Sequence, residues 1–194
     1  MDIDRSRETV LILRTCKADR TSRNGFQWPE MGYVEAPDWN PSAQCGNGLH
    51  GWLRGEGDGS LVYDGERLGQ VVETYLDHIV DLDGKVKFPF GWVVFTGDLH
   101  EAARIVSTKY PMAKVCFGTA TAGYRGTATA GYRGTATAGY YGTATAGDGG
   151  IIMIQRWNRK RWKYEISEVG EDGLKPNTAY RLDENGNFVG SARA

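Results

Sequence analysis

GTATAGYR GTATAGYR GTATAGYY GTATAGDG, residues 118–149, is one octad written four times, and its reading decides the fold. Self-similarity at a fixed period dictates local structure before any weaker signal does. Each octad holds a Thr-Ala-Thr-Ala run followed by a glycine-rich stretch of turn formers. An alanine-rich helix is the competing reading. It loses, because two glycines and two β-branched residues in every eight cost about 2 kcal/mol or more in helix propensity. Strand and corner follow. Strand side chains alternate between faces, so Ala120 and Ala122 point inward while Thr119 and Thr121 point outward. Two octads then make one flattened coil of about 16 residues, a thin parallel β-roll. Its glycines supply either positive φ angles or close backbone contacts at the corners. Residues 115–117 and 151–154, both apolar, read as the hydrophobic ends of the roll.

The Thr pairs Thr119/Thr121, Thr127/Thr129, Thr135/Thr137 and Thr143/Thr145 resemble the ice-binding ladders of antifreeze solenoids. Area is the objection: two coils expose only about two Thr pairs per face, so a spacer or presentation scaffold ranks above ice binding. At the corners Tyr124, Arg125, Tyr132, Arg133, Tyr140 and Tyr141 project. Tyr and Arg are favoured at the centres of protein interfaces, so these six are candidate partner-binding residues, with solvated corners as the equally simple alternative.

Upstream of the octads the chain changes character. Residues 10–13 are a short apolar run that reads as a buried strand. Residues 20–60 look irregular, broken by Pro29, Pro37, Pro41 and many glycines, yet they carry Phe26, Trp28, Tyr33, Trp39 and Trp52. Such rings either pack beneath loops or line a pocket. Trp28, Trp39, Cys45, His50 and Trp52 are therefore the candidate ligand loop. Cys45 and His50 are too sparsely supported for a nucleophile pair or a zinc site, which needs about four ligands. The 55–59 stretch lacks the strand and helix a phosphate loop requires. No cofactor, metal or catalytic residue is implied, and a non-enzyme is expected. Strands follow at 70–75, 79–82, 85–88 and 92–96, and Asp98 with Glu101 forms a capping box for a helix through about residue 107.

Downstream, residues 151–157 and 162–169 read as a hairpin. Arg156, Arg159, Lys160, Arg161 and Lys163 interleave there with Trp157, Trp162 and Tyr164, a pattern able to track phosphates while rings stack on bases. The charge divides to match: residues 1–117 hold 17 acids and 13 bases, residues 118–194 hold 7 and 10.

The composition fits this outline. The chain has 194 residues, a net charge of −1 and 40% hydrophobic residues, enough for a folded core and too neutral for a general nucleic-acid binder. Its 27 glycines gather in two pools, ten at 25–69 and ten at 118–150. Three widely spaced cysteines suggest reduced thiols. No apolar run is long enough to span a membrane, and the charged start does not read as a signal peptide, so a soluble cytoplasmic protein is expected.

The motifs CGNGLHGW at 45–52, IVDLDGKVKFP at 79–89, the octads, and VGEDGLKPNTAYRLDENGNFV at 169–189 together resemble a family of uncharacterised proteins from phages, prophages and proteobacteria. The resemblance implies a length-tolerant spacer between end modules, a mobile-element setting and the host cytoplasm. By that context an inhibitor of a host protein or nucleoprotein is expected, with a CRISPR–Cas complex as one such target and an anti-CRISPR as its name. The resulting expectation is an α+β N-terminal domain (1–112), an octapeptide-repeat parallel β-solenoid with hydrophobic caps (113–154) and a C-terminal β hairpin module (155–194). A small-ligand or nucleotide sequestrant or enzyme using the aromatic, glycine-rich loops 25–69, and an ice-binding or adhesion protein using the Thr ladders, are the alternatives.

Overall fold

The computed structural model describes residues 2–22, 24–62, 68–171 and 173–190. The chain divides into two compact units, residues 1–110 and 111–194.

Unit 1 is built on one antiparallel sheet of seven strands: β1 (Thr9–Cys16), β2 (Gly32–Glu35), β3 (Leu49–Leu53), β4 (Leu68–Tyr75), β5 (Val80–Asp81), β6 (Val86–Phe88) and β7 (Phe90–Asp98), in the order β2-β7-β4-β1-β3-β6-β5. The central strands β1 and β4 are buried along nearly their whole length and pair over all of it, from Thr9 opposite Tyr75 to Cys16 opposite Leu68. One face packs Val10, Ile12, Val72 and Val93 against Trp28, Val34 and Phe88. The helix α1 (Leu99–Lys109) starts where Asp98 accepts hydrogen bonds from the backbone N–H groups of His100 and Glu101. It buries Ala102, Ala103 and Val106. Gly69 on β4 lets it approach, since a Cβ there would lie 2.7 Å from that of Ala102. Two strands arise where the residues read as irregular: Val34 and Leu49 are buried by pairing of β2 with β7 and of β3 with β1 and β6.

Unit 2 contains β8 (Thr119–Ala122), β9 (Thr127–Thr129), β10 (Thr135–Ala138), β11 (Thr143–Thr145), β12 (Ile151–Trp157), β13 (Trp162–Glu168), β14 (Tyr180–Leu182) and β15 (Phe188–Gly190). They form two four-stranded sheets, β13-β12-β10-β8 and β15-β14-β11-β9. Successive octads alternate between the sheets, so each strand pairs in parallel with the one 16 residues away: Thr119 with Thr135, Thr127 with Thr143, and Thr135 with Ile151. Alanine faces inward. Ala136, Ala138, Ala144 and Ala146 are fully buried with Ile152, Ile154, Leu174 and Tyr180.

This corrects the expected architecture. Among the described residues the chain is mostly β, with three sheets and one α-helix, rather than an α+β domain followed by a β-solenoid and a separate hairpin. The octad strands close no solenoid of their own: each sheet is mixed and is completed by antiparallel strands from beyond residue 150. The physical reason is core volume. Alanine methyls alone bury too little apolar area, and Ile152, Ile154, Leu174 and Tyr180 supply it from the C-terminal segment.

The corners also decide between two roles for glycine. Positive φ falls on Phe117, Arg125, Arg133, Tyr141 and Gly149, at intervals of eight, and four of these five carry side chains. The octad glycines are needed for close approach. A Cβ on Gly139 would lie 2.5 Å from the carbonyl carbon of Gly123, and one on Gly147 would lie 2.6 Å from the nitrogen of Tyr132.

Candidate functional site

The outer face of the first mixed sheet carries the most regular pattern in the molecule. Its strands are in register, so outward residues fall into rows: Thr119, Thr135, Ile151 and Glu168 in one, Thr121, Thr137, Met153 and Ile166 in the next. Strand geometry sets the grid at about 4.8 Å between strands and about 6.6 Å between rows. Thr119 and Thr121 are exposed on the edge strand β8, and Thr135 and Thr137 are half-buried beside it. The Thr137 hydroxyl lies 3.8 Å from the Met153 sulfur. β-branched threonine has few χ1 choices in a strand, so each position presents one methyl and one hydroxyl in a repeating array. The second mixed sheet pairs Thr127 with Thr143 and Thr129 with Thr145, but there Thr145 is buried.

Towards the hairpin the same face turns aromatic. Tyr164 and Gln155 form the next cross-strand pair, and Trp157 and Trp162 the last, their ring centroids 5.3 Å apart. Trp162 meets Tyr140 at 5.2 Å, Tyr140 stacks on Tyr141 at 3.8 Å with a 2.8 Å hydrogen bond between their hydroxyls, and both approach Tyr124. Arg125 lies over the Tyr124 ring at 5.2 Å. One corner of the expected partner-binding set is thereby joined to the hairpin tryptophans. The other is not: Tyr132 packs against Phe117, and Arg133 lies over the Tyr132 ring and beside Gly149.

The basic residues of the hairpin part company with its rings. Arg156 and Lys163 oppose each other on the inner face of β12 and β13, and both bind Glu165 at 2.6 Å. These two charged contacts hold the Glu165 carboxyl below its usual range against the opposing effect of burial. Arg159, Lys160 and Arg161 occupy the tight turn, where the Asn158 side chain accepts from the backbone N–H groups of Lys160 and Arg161. A continuous surface of alternating rings and cations is therefore not formed. The face that is formed joins Thr, Ile, Met, Tyr and Trp. Ile151, Met153 and Ile166 were missed as members because their membership depends on cross-strand register; the alternation W-K-Y-E-I-S-E of residues 162–168 was the available signal.

Unit 1 holds a cavity of about 730 Å³ where the end of β1 meets β3. Four of the candidate ligand-loop residues line it: Trp28, Cys45, His50 and Trp52. Trp39 does not; it packs behind the 44–48 loop, 3.0 Å from where a Gly48 Cβ would sit and 5.8 Å from the Lys87 ammonium. Arg14 and Lys85 also line the cavity, and these cations were not singled out in the sequence, although an arginine closing the apolar run VLILR is itself a signal. Cys45 is exposed, while Cys16 and Cys116 are buried. Among the described residues no cluster of three metal-ligating side chains occurs.

Comparison with known proteins gives two kinds of match. Residues 10–105 match a family described as a domain of unknown function (DUF7666). The chain is also similar to three proteins named "Ice nucleation protein". Identity is 34% to that of Xanthomonas campestris pv. translucens, over 54% of this chain and 7% of the relative. It is 33% to that of Pseudomonas fluorescens, over 56% and 9%, and 34% to that of Pseudomonas syringae, over 56% and 9%. The chain thus spans less than a tenth of the length of these curated relatives. No solved structure matches it. The matches correct the expected phage and anti-CRISPR setting, since the relatives are named for ice nucleation and not for a role in phage or host defence.

Proposed function

We propose that unit 2 is a non-enzymatic ice-binding element, acting through the Thr face of the first mixed sheet. The observation that carries the proposal is the in-register grid of Thr119, Thr121, Thr135 and Thr137 on two parallel strands. In-register parallel pairing sets these hydroxyls and methyls at regular intervals in two directions. Water above them meets the same pair of environments repeatedly: a hydroxyl that donates and accepts, and a methyl around which water must form a cage. A periodic boundary of this kind favours periodic water. Ile151 and Met153 extend each row by one apolar position.

Names of the relatives support the reading, at a coverage of 7 to 9% of their length. The small grid sets the kind of activity. Seeding a crystal needs an ordered patch of embryo size, whereas adsorption to an existing crystal needs only local complementarity. This chain is therefore expected to adhere to ice and slow recrystallisation while leaving droplet freezing temperature nearly unchanged.

The test is a recrystallisation assay on the native chain, on the double variant Thr119→Lys/Thr121→Lys, and on Thr127→Lys in the second sheet. Native protein should keep ice grains small; the double variant should lose the effect, because two hydrated ammonium groups on an exposed edge break the periodicity without disturbing the core. Thr127→Lys should retain it. Grain growth with native protein equal to that with buffer would refute ice binding, and loss of activity in Thr127→Lys alone would move the surface to the other sheet.

A further inference from the structure

The unit 1 cavity has no part in ice binding, and its chemistry points elsewhere. At about 730 Å³ it falls in the range of metabolite and drug sites. One part of its wall is aromatic. Phe26 meets Trp28 edge-on at 5.6 Å, and Trp52 on β3 also lines the cavity. Trp28 is buried, yet its indole N–H has no acceptor among the described residues. An indole N–H is a donor only, and a buried donor left unmatched costs about 1–3 kcal/mol.

Positive charge surrounds the same space. The Arg14 guanidinium lies 3.6 Å from the Trp28 ring centroid, held also by the Gln70 side-chain oxygen. Lys85 lines the cavity. Lys87, directly opposite His50 on β6, is fully buried, and its ammonium donates to the carbonyl oxygens of Gln44 and Gly46 at 2.8 and 3.2 Å. Those carbonyls belong to the loop that forms the cavity wall at residues 45–48. A buried ammonium that meets dipoles in place of a carboxylate keeps a positive potential around it. Asp38 is the single acid among the described lining residues.

His50 registers this potential. Burial first, then Lys85 and Lys87, and more weakly Arg14, push its imidazole down to about 4, so the ring is neutral at neutral pH. The ring also hydrogen-bonds the Gly48 backbone, and its Nε2 has no partner among the described residues.

We propose that this cavity binds a small planar organic anion, an aromatic or heteroaromatic carboxylate, with its ring among Phe26, Trp28 and Trp52 and its carboxylate facing Arg14 and Lys85. The ring supplies buried apolar area, and the carboxylate supplies negative charge to face the cations of the wall and an acceptor of the kind the Trp28 indole N–H is without among the described residues. A neutral ring would leave the potential uncompensated, and an inorganic anion would leave the aromatic wall unused.

The experiment uses the full chain, with benzoate and indole-3-carboxylate, their two amides, and inorganic phosphate as probes. Tryptophan fluorescence reports binding, and the His50 imidazole signals in NMR report its titration. Each carboxylate is expected to saturate and to bind about tenfold or more tightly than its amide. Phosphate should not displace either one. On saturation the His50 midpoint should rise, because the added negative charge offsets Lys85 and Lys87. Lys85→Gln, at a half-buried rim position, should weaken carboxylate binding about tenfold with an unchanged melting temperature. The proposal is overturned by no saturation up to about 10 mM, by amides binding as well as carboxylates, by phosphate displacing them, or by a His50 midpoint that stays in place. The comparison of acid with amide is made on the native chain, so it holds whatever the variant does.

Discussion

At the residue scale, the charged side chains inside unit 1 are the most unusual feature. Lys87 and Arg14 are both buried, one by two carbonyls and one by a tryptophan ring and Gln70. His50 feels burial first, then the charges of Lys85 and Lys87, and Arg14 more weakly. In the unfolded chain the imidazole takes up a proton near its usual pKa of 6.5, whereas in the folded chain it does so only near 4. Between those values the unfolded state binds more protons, so stability falls as the pH is lowered through that window and this group's contribution is flat above and below it. The ring is half-buried and water screens it, so the loss is on the order of 1–2 kcal/mol. Denaturant titrations from pH 7 to pH 4 should show that loss, and His50→Gln should remove it. An identical slope in the variant would mean that other groups carry the acid sensitivity.

At the element scale, the octad turns the same residue type to different uses along the repeat. Gly123 and Gly139 occupy one position in octads one and three. A Cβ on Gly123 meets nothing within 4 Å, while one on Gly139 runs into the carbonyl of Gly123 at 2.5–2.7 Å. Backbone cannot yield as a side chain tip can. Gly139→Ala should therefore cost about 1–3 kcal/mol, and Gly123→Ala should be neutral or stabilise by up to about 1 kcal/mol through the unfolded chain. Urea midpoints of the two variants check this directly, and equal midpoints would disprove the stacking account. The hairpin shows a similar division. Alternation along β13 sends Trp162, Tyr164 and Ile166 outward and Lys163 and Glu165 inward, which is why bases and rings that mingle in the chain separate in space.

At the scale of the whole molecule, the pairing interval of 16 residues makes the repeat tolerant of some length changes and not others. Deleting residues 126–141 removes one strand from each sheet and leaves β12 beside a first-sheet strand. Deleting residues 126–133 alone sends β12 to the second sheet, away from the register that pairs Thr135 with Ile151 and places Ile152 and Ile154 in the core. The longer deletion should thus be the milder one: a cooperative melt with modest loss of stability, against loss of the cooperative transition for the shorter. Calorimetry of the two deletions decides, and the opposite ranking would refute the two-sheet alternation. The same scale governs the Thr face. Each added pair of octads would lengthen both rows of the grid by one Thr, so recrystallisation inhibition should rise with insertion of 16-residue units.

Some of this was legible in the residues because it is local. The period of eight, the inward alanines, the N-cap at Asp98 and the strand runs at 70–75 and 151–157 follow from backbone preference and side-chain alternation over a few positions. The rest depends on partners far away in the chain. Gly32–Glu35 and Leu49–Leu53 become strands only because β7, β1 and β6 offer edges to pair with, roughly 35 to 60 residues away. The mixed sheets exist because a methyl-lined interior is too thin to stand until Ile152, Ile154 and Tyr180 fill it. Likewise, Arg14, Lys85 and His50 line one cavity only when β1, β3 and the start of β6 come together around it. Local chemistry set the repeat and its alternation; long-range hydrogen bonding and core volume decided the sheets, the exposed face and the charged pocket.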